Sequence, residues 1–248
     1  MINFDSQEIP AEYLSAVVKT ARDVGTDLTQ FLRLNHLTQK ELENPDVKIR
    51  GNLFKKAIAL THKRYTGAKP LSLLLAERFS LTSHGLLGLT LICAPDLRAA
   101  LMLVEEYGFL LIPSIAIEIH ERREISALRF VPKVELGDMA ETLIEMVMGA
   151  FYSGKLMLET SAPLKISLTH MPAAALLFYE EFWGCKVLVN QKYNQIFFQS
   201  QLLARPLHTS NPENFNRLCK QLDEQFAQAT ANLQFTLKVR QILNVTSD

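Results

Sequence analysis

Apolar side chains recur at helical spacing along the first 80 residues of the chain. The segment 10–25 begins with Pro10, which suits a first helical turn, and ends at Gly25, which suits a helix stop. A short helix is predicted after Asp27 as its cap, another from about residue 50, and a fourth over 71–79. The sequence therefore predicts a helical N-terminal layer over residues 1–80.

The pattern changes after residue 80, where runs of alternating polarity lie between helical ones. Residues 115–120 and 125–131 alternate apolar and polar side chains around a charged loop, which predicts an antiparallel hairpin. Further predicted strands are 165–170, 186–189 and 195–199, and predicted helices are 86–93, 96–111, 136–158, 172–183, 212–229 and one that begins at 234. Strands and helices do not alternate strictly, which favours an α+β fold. We expect a helical layer over 1–80, a mixed, mainly antiparallel sheet packed with helices over 81–210, and C-terminal helices over 211–248.

Composition excludes several classes of protein. The chain has 248 residues, 48% of them hydrophobic, and 26 Lys and Arg balance 26 Asp and Glu. It is too apolar for a disordered polymer, and its neutral charge argues against a surface devoted to nucleic acid. Three scattered cysteines indicate no disulfide scaffold. The longest apolar run, 85–95, is shorter than the ~18 residues of a membrane span, so we expect a cytoplasmic protein without membrane contact.

The familiar signatures of catalysis are missing from the sequence. It contains no phosphate-binding glycine loop, no G-x-S-x-G elbow and no H-E-x-x-H metal motif, and its six histidines are scattered. We therefore expect no enzyme, no cofactor and no metal site.

Three charged or motif-like segments have a functional and a structural interpretation. Glu141 and Glu145 lie one helical turn apart and could bind a cation, but a solvated helix face is favoured. The segment 47–76 carries seven Lys and Arg and no acid, which suits either an anionic partner or an ordinary amphipathic helix, and the latter is favoured. The segment 37–42 resembles the start of a helix-turn-helix, which Pro45 argues against.

A set of polar-tipped residues lies inside otherwise apolar elements. Small-molecule pockets are mostly apolar with a few such groups, so this set supplies the candidate ligand-binding residues. Each residue alone could equally be a core residue whose polar tip has a partner. The candidates are Tyr107, His120, Arg129, His170, Tyr179 and Trp183.

Two stretches of the chain together resemble one family. The first is His84-Gly-Leu-Leu-Gly-Leu followed by Ala94-Pro-Asp-Leu-Arg-Ala-Ala-Leu, and the second runs from His170-Met-Pro through Tyr179, Phe182 and Gly184 to Leu202-Leu-Ala-Arg-Pro-Leu. Their order and spacing are similar to AraC-type transcriptional regulators, in the subgroup with an arabinose-binding-type N-terminal domain. The resemblance implies a region that senses a small-molecule effector and governs a DNA-binding domain with two helix-turn-helix motifs.

The resemblance also implies partners and a chain organisation. Residues 81–210 would sense the effector, and 211–248 would connect to a DNA-binding domain that this chain lacks, so we expect a fragment of a longer protein. DNA contact is expected only through that missing domain, and the protein is expected to form a homodimer. The segment 212–229 has a stripe of Phe215, Leu218, Leu222 and Phe226, which suits either a dimer or connector helix or packing against its own sheet.

Three other functions stay open at this point. The chain could be a stand-alone metabolite-binding protein without transcriptional output. It could be an enzyme with a site assembled from His84, His120, His170 and acids. It could also contact DNA directly through the basic segment 47–76.

Overall fold

The computed structural model describes residues 4–44, 47–153 and 163–245, which fold into helices around a five-stranded sheet. The helices are α1 (Ala11–Asp23), α2 (Thr29–Leu34), α3 (Gln39–Leu42), α4 (Gly51–Arg64), α5 (Leu71–Ala76), α6 (Gly85–Cys93), α7 (Leu97–Tyr107), α8 (Ala140–Ser153), α9 (Leu176–Trp183) and α10 (Pro212–Val245). The strands are β1 (Glu8–Pro10), β2 (Lys48–Arg50), β3 (Ile115–His120), β4 (Ile125–Pro132), β5 (Lys165–Ser167), β6 (Val187–Leu188) and β7 (Asn194–Gln199). The expected α+β class is confirmed.

The larger sheet is mixed and mainly antiparallel, as expected. Its strand order is β3-β4-β7-β5-β6, and only the β5–β6 pair is parallel. The predicted hairpin is β3–β4, in which Ile117 lies opposite Phe130. Phe130, Leu128 and Ile196 are buried on the face that packs against helices. Side chains alternate between the two faces, so Arg129 lies on the opposite face.

The first 80 residues are not entirely helical, which corrects one expectation. Strands β1 and β2 pair antiparallel, with Ile9 opposite Ile49 and both side chains buried. Each strand has three residues, which is too short to show an alternating pattern. The pairing joins segments about 40 residues apart, and only the tertiary structure brings them together.

Several predicted helix boundaries are wrong: α5 ends at Ala76 rather than at 79, α7 ends at Tyr107 rather than at 111, and α8 begins at Ala140 rather than at 136. Helix α9 begins at Leu176 rather than at Pro172, because the backbone at Ala175 is extended, with φ −59° and ψ 135°, and so does not continue a helical turn from Pro172.

The predicted break near residue 230 does not exist, since α10 is continuous from Pro212 to Val245. No Gly or Pro interrupts residues 213–245. The predicted end of the 136–158 helix lies outside the described residues.

Two apolar cores share the molecule. The larger one joins α1, α4, α5, α8, α9 and the inner face of the sheet. The smaller one joins α6, α7 and the first half of α10, where Leu222 is fully buried and Phe215 and Phe226 pack at its edge. The apolar stripe of α10 thus packs on helices of its own chain rather than on the sheet. The division at residue 80 and the homodimer stay predictions.

Candidate ligand-binding site

A largely apolar cavity of about 80 Å³, partly open to solvent at Ser80, lies between the two cores. It is bounded by α1, the turn Leu81–His84, the helices α6, α7 and α8, and strand β3. Its lining is aliphatic and aromatic apart from Tyr13, Ser80 and His84. The lining residues are Tyr13, Phe79, Ser80, Leu81, His84, Leu87, Leu91, Val104, Gly108, Leu111, Ile112, Ile115, Ile117, Met146, Val147, Ala150 and Phe151.

The polar feature of this cavity is a hydrogen-bonded pair. Tyr13 Oη lies 3.0 Å from His84 Nδ1, and the Phe79 ring stacks against the imidazole. Burial lowers the pKa of His84 to about 4 and raises the pKa of Tyr13 above its ordinary value. The burial penalty favours the uncharged form of each group. Both side chains are therefore neutral at pH 7.

The local sequence explains how His84 is held at the cavity. The residue precedes α6, and Gly85 follows it with a φ of +53°, a conformation that glycine adopts without strain. Gly88 lies so close to the turn that a Cβ at this position would meet Leu81 O at 1.7 Å. The two glycines of the His84-Gly-Leu-Leu-Gly pattern thus let α6 lie directly against the turn that carries the imidazole.

The two stretches that carried the family resemblance meet beside this site. Asp96 caps α7, since its Oδ1 accepts from Ala99 N at 2.8 Å. Leu97 N donates to Arg205 O at 3.3 Å, and Leu207 N donates to Pro95 O at 3.2 Å. The α6–α7 junction is therefore bonded to the segment that leads into α10.

Two of the six predicted site residues, His170 and Tyr179, contact one buried carboxylate, Glu145 of α8, and a third, Trp183, packs against Tyr179. His170 Nε2 lies 2.8 Å from Glu145 Oε1, and Tyr179 Oη donates to Glu145 Oε2 at 2.8 Å. Ser72 Oγ of α5 donates to the same Oε2 at 2.5 Å. Trp183 is fully buried, and its ring lies 5.8 Å from that of Tyr179. We call Ser72, Glu145, His170 and Tyr179 the Glu145 cluster.

The Glu145 cluster corrects the expectation of a solvated acidic helix face. Glu141 is exposed as expected, but only 5% of Glu145 is exposed. Three donors converge on its carboxylate, which is the condition for burying a charge at tolerable cost. Glu145 thus joins α5, α8 and α9 instead of facing water.

Two more predicted residues, His120 and Arg129, lie on the outer face of the sheet. The Arg129 guanidinium stacks 3.7 Å above the centre of the Tyr193 ring, and His120 Nε2 lies 3.4 Å from Glu118 Oε2. Both residues line a groove of about 560 Å³ that is open to solvent and contains Arg122 among its charged residues. This face is separate from the cavity.

The sixth predicted residue, Tyr107, lies at the contact between α7 and α10. Its Oη donates to Asp223 Oδ1 at 2.5 Å, and its ring meets Phe226 edge-on at 5.5 Å. Tyr107 thus helps to hold α10 in place. The structure therefore divides the six predicted residues among three locations, and none of them is among the described residues that line the cavity.

The sequence interpretation left out the polar pair of the cavity. Tyr13 lies within the predicted helix 10–25, and His84 belongs to the family pattern and to the hypothetical enzyme site, but neither is among the six predicted ligand-binding residues. Two signals were available: a phenol on the buried face of α1, and a histidine placed directly before a glycine. The three histidines of that hypothetical enzyme site, His84, His120 and His170, lie in three different surroundings.

Other places in the described structure are less suited to enclosing a ligand. A groove of about 830 Å³ beside α1–α3 is open to solvent and lined partly by charged residues such as Arg22 and Arg33. No group of three or more His, Cys, Asp or Glu side chains in the described ranges is arranged to hold a metal ion. Among the same residues, no helix is long and apolar enough to cross a bilayer.

The fold is an α+β domain with a largely apolar cavity between its two cores. Residues 25–207 match the family described as the arabinose-binding domain of AraC transcription regulators, N-terminal. This match covers well over half of the chain, so the chain belongs to that family.

Two relatives are regulators from Pseudomonas aeruginosa. The chain is 23% identical over 246 residues to an ornithine utilization regulator, with 98% of this chain and 72% of the relative covered. The crystal structure of the transcriptional regulator CdpR has a similar fold, with a TM-score of 0.56 at 18% identity. That alignment covers 76% of this chain and 58% of CdpR.

Proposed function

We propose that this chain is the effector-sensing region of an AraC-type regulator and that the effector occupies the cavity beside Tyr13 and His84. The observation that carries the proposal is a mostly buried, apolar cavity with one hydrogen-bonding pair, because small-molecule sites usually have an apolar lining with a few polar groups. The two open grooves leave a bound molecule largely in water. Effector binding would then control a DNA-binding domain that follows α10, in a cytoplasmic homodimer.

The route from the cavity to α10 is short. Leu87 and Leu91 of α6 and Val104 of α7 line the cavity and also belong to the core that holds α10. A ligand that displaces these side chains therefore changes the packing of Leu222 and Phe226 of α10. The size of the response depends on how much more tightly the ligand binds one arrangement than the other.

The site can be tested by thermal unfolding in the presence of a metabolite library. A compound at 100 times its Kd stabilises the fold by about 2.7 kcal/mol, which raises the Tm by roughly 5–10 °C in a chain of this size. We expect such a compound to stabilise the wild-type chain but not Val147→Phe, whose ring fills the cavity. Ala150→Leu serves if Val147→Phe does not fold.

A matched control separates filling of the cavity from a general effect of added bulk. Leu188→Phe adds a ring at an exposed apolar position of β6 and should keep the ligand response. Compounds that stabilise the wild-type chain and Val147→Phe equally bind elsewhere, and that result contradicts the proposed site. Hydrogen exchange should also show changed protection of α6, α7 and the first half of α10 when the effector binds.

A further inference from the structure

We infer that the effector is an uncharged, slender and mainly apolar molecule with one hydroxyl or carbonyl group that binds the Tyr13–His84 pair. This inference rests on the proposed function of the cavity and adds the chemical class of its ligand. It differs from what the names of the family and of the relative suggest, which are a sugar and a diamino acid.

Charge is the first reason. None of the residues described as lining the cavity is Lys, Arg, Asp or Glu, and burial keeps His84 and Tyr13 neutral at pH 7. An ammonium or carboxylate group would lose its hydration there without gaining a counter-charge, which costs far more than burying an apolar group. The buried carboxylate of Glu145 cannot help, because it is not on the lining and already accepts three hydrogen bonds.

The number of polar partners is the second reason. Ser80 Oγ lies within hydrogen-bonding distance of Thr82 and Ser83 in its own turn. Among the described side chains that line the cavity, this leaves the Tyr13–His84 pair as the polar group that a ligand can bind. A phenol oxygen has one donor and two acceptor positions, and an imidazole has a second ring nitrogen. This pair can bind one polar group of a ligand. A sugar would leave most of its hydroxyls buried without partners.

Size and lining set the shape of the ligand. The cavity of about 80 Å³ is well below the roughly 300–1,000 Å³ of common ligand pockets, so only a small or slender molecule fits without rearrangement. A longer molecule must displace side chains, and Met146 is the flexible side chain of the lining. An unbranched chain requires less displacement than a ring system of the same mass.

The test uses three probes with an unbranched six-carbon skeleton and a neutral, an anionic or a cationic head group, added to the 248-residue chain at pH 7.5. Hexan-1-ol, hexanoate and hexylammonium are titrated while the ¹³C-methyl signal of Met146 is followed by NMR and assigned with Met146→Leu. We expect hexan-1-ol to bind at least tenfold more tightly than either charged probe. Ornithine and L-arabinose should leave the Met146 signal unchanged at the same concentrations.

The hydrogen-bonding part of the inference has its own variant. Tyr13→Phe keeps the ring and removes the hydroxyl, so it should weaken hexan-1-ol binding about threefold to tenfold. Tyr65→Phe is the matched control, because Tyr65 Oη donates to Lys69 O away from the cavity. It should leave the affinity for hexan-1-ol unchanged.

Failure of the ligand class and failure of the site give different results. The class is overturned if hexan-1-ol binds no more tightly than the charged probes, or if a library compound blocked by Val147→Phe carries a charge. The site is overturned, and the class with it, if stabilising compounds act equally on Val147→Phe and no probe shifts the Met146 signal.

Discussion

Helix α8 lies between two buried polar groups that use their hydrogen-bonding capacity differently. On one side, Glu145 accepts from Ser72, Tyr179 and His170. On the other side, Met146 and Val147 border the cavity, where Tyr13 and His84 bond mainly to each other. The first group has its partners in the protein and adjoins no described cavity, whereas the second has both spare capacity and adjacent space.

This difference separates a structural cluster from a binding site, although both contain a histidine and a tyrosine. A buried carboxylate with three donors has little capacity left for a ligand, and its removal leaves all three donors without an acceptor. A neutral pair beside a cavity contributes less to stability and can still bind a new group. The four predictions below test this contrast, from the largest expected effect to the smallest.

Removal of the buried carboxylate should have the largest effect. Glu145→Ala leaves Ser72, Tyr179 and His170 unpaired in the interior, so we expect a loss of about 3–5 kcal/mol in the free energy of unfolding. Urea denaturation measures it. Glu141→Gln, one turn away and exposed, should stay within about 0.5 kcal/mol of wild type. Similar losses in both variants would contradict a special role for the Glu145 cluster.

Acid should destabilise the fold through His84. The unfolded histidine takes up a proton below its ordinary pKa of 6.5, whereas the folded one does so only near pH 4. The unfolded state therefore binds more protons in this window, and stability falls as the pH drops from about 6.5 to about 4. The resulting loss of unfolding free energy is at most about 3 kcal/mol, and it is smaller if water partly solvates the imidazole ring.

His84→Gln removes this pH dependence, which chemical denaturation at pH 7.5, 6, 5 and 4 can measure. The control is His62→Gln, since His62 is exposed. An unchanged pH profile in His84→Gln would show that the imidazole is not held in the neutral form.

One substitution made in both regions compares them directly. Tyr179→Phe removes a hydrogen bond to a buried carboxylate, which costs about 1.5–3 kcal/mol, whereas Tyr13→Phe removes one between neutral groups, which costs about 0.5–1.5 kcal/mol. Thermal unfolding of both variants measures the difference. The reverse order would mean that the cavity pair, rather than the Glu145 cluster, holds the structure.

The smallest effect is expected where α7 meets α10. Tyr107→Phe removes the hydrogen bond to Asp223. Asp223 is exposed, so water can bond to its carboxylate in place of the tyrosine hydroxyl. We expect a loss of about 0.5 kcal/mol in unfolding free energy. A double-mutant cycle with Asp223→Ala measures the coupling, and a coupling above about 2 kcal/mol would contradict this weak, solvent-accessible bond.

Most elements were predictable where the pattern is local and long enough. The β3–β4 hairpin follows from alternation, and α1, α4 and α6 follow from helical spacing with suitable ends. The pair β1–β2 was missed because three residues cannot show a period. The start of α9 was misplaced because Pro172 is a good first helical residue by local rules, but the backbone at Ala175 is extended and the helix begins only after it.

The candidate site was less predictable than the fold. Polar residues in apolar elements were recognised as unusual, but sequence spacing does not tell which of them end beside a carboxylate and which beside a cavity. Tyr13 and His84 are 71 positions apart in the chain, and Glu145 and Ser72 are 73 apart. Neither separation corresponds to a local motif.

The sequence by itself determined the class of fold, the long helices and the β3–β4 hairpin, and the family that its two stretches resemble. These depend on short-range sterics and on the burial of periodic apolar faces. Only the tertiary structure decided that Glu145 is buried, that Tyr13 meets His84, and that α6 and α7 contact both the cavity and α10. Those outcomes depend on which distant segments pack together in the interior. A buried polar group without a hydrogen-bond partner is costly, so such groups pack where another segment supplies one.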